Sequence, residues 1–135
     1  MKDSLVKRKS YEFAVKVVRL ARELRHGHEF ELSKQVLHSG TSIGANVEEA
    51  LAGVSKRDFI AKTSIASKEA RETHYWLRLI SDSKSVESNA VLPALKDAEE
   101  LLRILTAIVK TSQNGELHET KNSKLKTKNS KDSYA

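Results

Sequence analysis

The side chains in this sequence that could do chemistry are few, and their spacing limits each of them. Glu23-Leu24-Arg25-His26 has the Glu-x-x-His spacing of bundle di-iron centres, which puts a carboxylate and an imidazole on one helical face. Such centres need a second copy, which this sequence lacks, and Glu23 and His26 fall away from the apolar line of their helix. His26-Gly27-His28-Glu29 could hold a metal ion only adventitiously, at a helix end open to water. Gly40-Thr41-Ser42-Ile43-Gly44 is rich in small residues, but no Gly-Lys-[Ser/Thr] follows and no strand precedes it, so the P-loop reading fails. Glu48/Glu49, Glu69/Glu72 and Glu99/Glu100 read as parts of solvated ion-pair faces. His74 reads as a polar seam or interface residue and Trp76 as a packing residue. With Cys at 0 there is no thiol nucleophile, no disulfide and no thiolate zinc site. The sequence predicts no catalytic residue, no metal and no cofactor, and a protein that is not an enzyme.

What carries these residues is helix. The chain has 135 residues, with Gly 5, Pro 1, 39% hydrophobic and 31% charged, too few turn formers for an all-β chain. Val6, Ser10, Phe13, Val17, Leu20 and Leu24 alternate at spacings of 4 and 3, the seam of a helix over about 5–25, with Gly27 as its natural C-terminal stop. A second helix over about 30–53 carries Leu32, Val36, Ser39, Ile43, Asn46 and Ala50. Its Gly40 and Gly44, one turn apart, predict close approach by a neighbouring helix. A third, capped by Ser55, carries Phe59, Thr63, Ala66, Ala70, Thr73, Leu77 and Ile80. A fourth starts near Ser88 and carries Val91, Leu95, Ala98, Leu102, Leu105 and Val109, ending near Asn114-Gly115. Four such helices with short connections predict an all-α fold, an antiparallel up-down-up-down four-helix bundle over 1–113. Residues 114–135 are Lys, Asn, Ser and Thr with almost nothing apolar, and predict a disordered basic tail.

The longest apolar run, Ala90–Leu95, is far too short to span a bilayer, so no membrane association is expected. No apolar stretch follows Met1–Arg8, so a signal peptide is not expected either, and the cysteine count suits the cytoplasm.

Charge and apolar surface point to partners. Net charge is +6, distributed as +5 over residues 2–25, −1 over 26–113 and +2 over 114–135. Arg8, Arg19 and Arg22 share an outward face of the first helix with Lys9 and Lys16 beside them, interrupted by Glu12 and Glu23. These five basic residues are the candidate nucleic-acid contacts. Tyr11, Val15 and Val18 form a second apolar stripe on nearly the opposite side of the helix from its core seam. The third helix repeats the pattern with Ile65, Trp76 and Leu79. Ordered second stripes predict a subunit interface, with Tyr11, Val15, Val18 and Trp76 as its candidates.

The segment Glu31-Leu32-Ser33-Lys34-Gln35-Val36-Leu37-His38-Ser39-Gly40-Thr41-Ser42-Ile43-Gly44-Ala45-Asn46-Val47-Glu48-Glu49-Ala50 resembles the signature of the bacterial four helix bundle protein family, also called the 23S rRNA intervening-sequence protein or S23-like family. Ser55–Phe59 and Lys68–Leu77 resemble its next block, and the likeness covers about residues 5–112. The resemblance implies an up-down bundle, a homopentameric barrel and no enzymatic activity. Some relatives lie within inserts in rRNA genes. Related accessory proteins of diversity-generating retroelements engage a reverse transcriptase and nucleic acid, so the resemblance makes RNA, DNA and a reverse transcriptase the candidate partners. It also makes Asn46 a structural residue, able to cross-link helices. The resulting expectation is a non-enzymatic oligomeric bundle acting as a nucleic-acid-associated adaptor. The alternative is a protein-interaction scaffold with no nucleic-acid role.

Overall fold

A computed structural model describes the backbone of residues 2–134 and the side chains of residues 5–115. Four helices follow in order: α1 Lys2–His26, α2 Phe30–Ala52, α3 Lys56–Asp82 and α4 Ser88–Tyr134. Each helix packs against its chain neighbours, and α1 closes the ring on α4, so α1 and α3 stand on one diagonal and α2 and α4 on the other. This is the up-down-up-down bundle.

The core follows from the helical period. Val6, Ser10, Phe13, Val17, Leu20 and Leu24 of α1 are all buried, as are Ala66, Ala70, Thr73, Leu77 and Ile80 of α3. The line of α4 differs from expectation. Val91, Ala94, Ala98, Leu101 and Leu105 are buried, while Leu95 and Leu102 are only partly covered. α4 is apolar over so wide an arc that its own sequence leaves its rotation open, and packing selects the small Ala94 as a contact.

Small residues bring α1 and α2 together. A Cβ built at Gly40 would lie 2.7 and 2.8 Å from the two γ-methyl groups of Val17, and one at Gly44 would lie 3.4 Å from the carbonyl oxygen of Ser10. Ser33, buried on α2, donates to the carbonyl of Ala21 on α1 at 2.7 Å. Asn46, by contrast, spends its amide within its own helix, donating to the Ser42 carbonyl at 2.8 Å, so it does not cross-link helices as expected.

The turns close by backbone hydrogen bonds. After α1 the left-handed residue is His28 (φ 65), one position later than the expected Gly27. Glu29 N–H reaches the Leu24 carbonyl (2.8 Å) and His28 N–H that of Arg25 (3.0 Å), a Schellman motif. Lys84 (φ 55) plays the same part after α3. A non-glycine there is strained, so His28→Gly should raise stability by up to about 1 kcal/mol, read as a higher thermal midpoint. Ser55 caps α3 as expected, accepting from the Asp58 N–H at 3.0 Å.

α1 starts at Lys2, and α4 continues through Asn114 and Gly115, where a stop was expected. Beyond Gly115, the disordered tail expected over 114–135 lies outside the residues whose side chains are described.

Candidate nucleic-acid and subunit surfaces

The five basic candidates on α1 do not form one patch. Lys9 and Lys16 turn toward α4 and pair with Glu100 and Asp97. The Lys9 ammonium bonds the Glu100 carboxylate and holds its pKa below the ordinary 4.5. These two lysines fasten α1 to α4 along the flank of the core line, as flanking charges do in a coiled coil. The clue lay in their seven-residue spacing, in register with Val6 and Phe13.

Arg8, Arg19 and Arg22 do face outward. Arg8 lies 4.0 Å from Glu12, both side chains well exposed, and no ion pair engages Arg19 or Arg22 among the described residues. Yet Arg8, Tyr11, Val15, Arg19 and Arg22 follow one another at spacings of 3, 4, 4 and 3, so they rise as a single ridge. Tyr11 is 63% exposed, and Val15 and Val18 are half-buried. The basic and apolar candidates are therefore interleaved on one surface.

A second ridge runs along α3, the helix diagonal to α1. Ile65, Glu69, Glu72, Trp76 and Leu79 repeat at spacings of 4, 3, 4 and 3. Ile65 and Leu79 are exposed and Trp76 is half-buried, its indole N–H donating to Glu72 at 3.4 Å. The Glu69 carboxyl has one oxygen shut off from solvent with no hydrogen-bond partner. Burial pushes its pKa above 4.5, the charge of Glu72 adds to the rise, and His38 opposes it. This ridge is apolar and acidic where that of α1 is apolar and basic. Sequence patterning showed the apolar members, but the buried oxygen on Glu69 depends on tertiary packing.

A third surface escaped the sequence reading. Lys68, Arg71, Tyr75 and Arg78 are spaced 3, 4 and 3 apart, on the flank of α3 that faces α4. They line a shallow cleft with Glu72, His74 and Leu102. The Arg78 guanidinium carbon is 6.0 Å from the Tyr75 ring centroid, and Tyr75 meets Trp76 edge-on at 5.0 Å. The same 3-and-4 count that revealed the apolar stripes would have found it.

The stretch Gly40–Gly44 lies inside α2, where the Thr41 and Ser42 hydroxyls donate to the carbonyls of Leu37 and His38, at 2.7 and 2.6 Å. An apolar cleft of about 350 Å³ opens among Val6, Val47, Leu51, Phe59, Leu105 and Ile108, with no charged side chain in its wall to orient a ligand. No group of His, Asp or Glu among the described residues converges as a metal site, and no described helix is long and apolar enough to cross a membrane.

With four helices, a small-residue contact between the first two and this distribution of charge in view, comparison with known proteins is informative. A family model described as 23S rRNA-intervening sequence protein matches residues 2–107. The chain belongs to that family. The fold agrees with a crystal structure, at 1.70 Å resolution, of a protein of unknown function from the S23 ribosomal protein family of Bacteroides thetaiotaomicron. The two are 45% identical, the match covers 82% of this chain and 99% of that one, and the TM-score is 0.76. No curated protein matches the chain. In this member of the family, the segment Glu31–Ala50 supplies the α2 surface on which α1 packs through Gly40 and Gly44.

Proposed function

We propose that this protein is a non-enzymatic, self-assembling helical bundle that serves in the cytoplasm as an adaptor for nucleic acid. The observation that carries the assembly is the pair of unlike ridges on diagonal helices. An apolar and basic ridge on α1 and an apolar and acidic ridge on α3 face different ways, so copies join head to tail rather than by a twofold contact. Head-to-tail contacts close into rings, and the family resemblance favours a homopentamer. Glu69 and Glu72 on the α3 ridge give it a charge complementary to that of the basic ridge on α1.

A ring repeats its positive surface, with Arg8, Arg19 and Arg22 at the edge of each contact. Net charge of +6 per chain favours a phosphate backbone, RNA or DNA, over particular bases. A reverse transcriptase is the protein partner that the resemblance favours. The alternative is an interaction scaffold without nucleic acid, and the loss of Lys9 and Lys16 to internal pairs favours it.

Light scattering should give a multiple of 15.1 kDa, and Val15→Glu should dissociate the assembly while leaving helix content nearly unchanged. Binding to RNA or DNA should be evident at about 50 mM salt and fall steeply as salt rises. Arg8→Ala/Arg19→Ala/Arg22→Ala should flatten that dependence. A monomer would sink the assembly, and absence of binding at low salt would leave the scaffold.

A further inference from the structure

The flank of α3 that faces α4 carries a surface for which the bundle has no use. Lys68, Arg71 and Arg78 are exposed, and no carboxylate pairs with any of them among the described residues. Lys9, Lys16 and Lys62 are, by contrast, all taken by acids of neighbouring helices. In the midst of the three free cations stands Tyr75, 49% exposed. Burial in the subunit does not explain an aromatic ring left so open. It is nevertheless held in place, edge-on against Trp76 at 5.0 Å and beneath the Arg78 guanidinium at 6.0 Å. Of the acids around it, Glu72, which lines the cleft, accepts from the Trp76 indole N–H at 3.4 Å, and on the α4 side Glu99 is bonded by His74 at 3.3 Å.

We propose that Lys68, Arg71, Tyr75 and Arg78 form a binding site for single-stranded nucleic acid, in which a base stacks on Tyr75 and the cations take the flanking phosphates. The proposal rests on the nucleic-acid reading above and gives it a site. Cations along a track with an aromatic platform among them are what an unpaired strand requires, since each base offers a face and each linkage a charge. A duplex keeps its base faces stacked inside and offers only the charge. The four residues span about 15 Å along the helix. They lie roughly a quarter-turn around α3 from the Ile65–Leu79 ridge, so assembly through that ridge leaves them open. The ridge on α1 has an aromatic too, but Tyr11 stands in line with Val15, in surface that assembly covers.

The test compares an oligouridylate of about 12 nucleotides, within the site sizes such surfaces use, with an RNA duplex of the same length. Trp76 is the chain's one tryptophan and touches Tyr75, so its fluorescence reports on this site. The assembled wild type should bind the single strand more tightly than the duplex, with a change in Trp76 emission. Tyr75→Ala should weaken single-strand binding about tenfold and leave duplex binding unchanged, and Tyr75→Phe should restore it. Arg71→Ala/Arg78→Ala should lower the slope of log affinity against log salt by about 1.4. Equal binding of both strands, or a Tyr75→Ala variant that binds as well as wild type, overturns this site and leaves the broader reading standing. A wild type that binds neither strand overturns both.

Discussion

Gly40→Val is expected to destabilise the bundle by about 3 kcal/mol, even though valine is the better helix former of the two. In an isolated helix the replacement would gain a few tenths of a kcal/mol from propensity. In the bundle the first added carbon already falls 2.7 and 2.8 Å from the γ-methyl groups of Val17. Val17 is fully buried and β-branched, so its side chain has no free rotamer in which to withdraw. The two extra methyl groups of valine would force α1 off α2, and overpacking of that kind costs about 1–3 kcal/mol or more. Gly44→Ala is the control. There the nearest atom is the Ser10 carbonyl oxygen at 3.4 Å, an ordinary contact, so the propensity gain of about 1 kcal/mol should survive. Chemical denaturation of the two variants should therefore move in opposite directions. A Gly40→Val protein as stable as wild type would show that the close approach of α1 is not required.

The same pair shows what the sequence could and could not say. Two glycines one turn apart in an apolar line announce a close helix contact, but which of them is the tighter depends on the crossing of α1, a tertiary quantity. The α1 core line was legible in full, and that of α3 from Thr63 to Ile80, because the regular 3-and-4 spacing fixes which side faces inward; at the start of α3 the buried residue is Ile60, and the expected Phe59 is only half-buried. On α4, Leu92, Leu95, Leu101, Leu102, Ile104, Leu105, Ile108 and Val109 spread around much of the helix. Choosing Leu95 and Leu102 over Ala94 and Leu101 was a choice that only the neighbouring helices could make. The helix stop was placed at Gly27 because glycine adopts positive φ at least cost. The chain uses His28 instead, since the hydrogen bonds from His28 and Glu29 to the last turn of α1 fix the register.

The surfaces were less legible than the core for a related reason. Helical spacing groups residues of one helix, and a charge's role depends on the next helix. Lys9 and Lys16 look as free as Arg19 until Asp97 and Glu100 are placed opposite them. Glu69 looks like any exposed acid until packing of the bundle shuts one of its oxygens off from solvent. Tyr75 and Trp76 are neighbours in sequence and meet edge-on, yet Tyr75 lines the cleft with Leu102 of α4 while Trp76 belongs to the apolar ridge.

That separation between core and surface leads to the second large effect, the contrast between Phe13→Ala and Trp76→Ala. Phe13 is 1% exposed, among the largest fully buried side chains of the core. Removing its ring leaves a cavity that the stiff residues around it, Val17 among them, cannot fill, and such truncations cost about 3–5 kcal/mol. With total stabilities of about 5–15 kcal/mol for single domains, the variant should melt far below wild type, with assembly and helix signal lost together. Trp76 is large too, but half of it lies outside the core on the acidic ridge of α3. Its truncation should leave most of the subunit's helix content intact, remove the anchor on which a second copy's α1 ridge would sit, and so release smaller species. Circular dichroism melts run alongside light scattering separate the two cases. The melting temperature of wild type should rise with protein concentration, because only the assembled form is stabilised by mass action, and that dependence should vanish in Trp76→Ala. If Trp76→Ala kept both its size and its concentration dependence, the α3 ridge would not be a subunit contact. Trp76 would then be no more than an edge of the core.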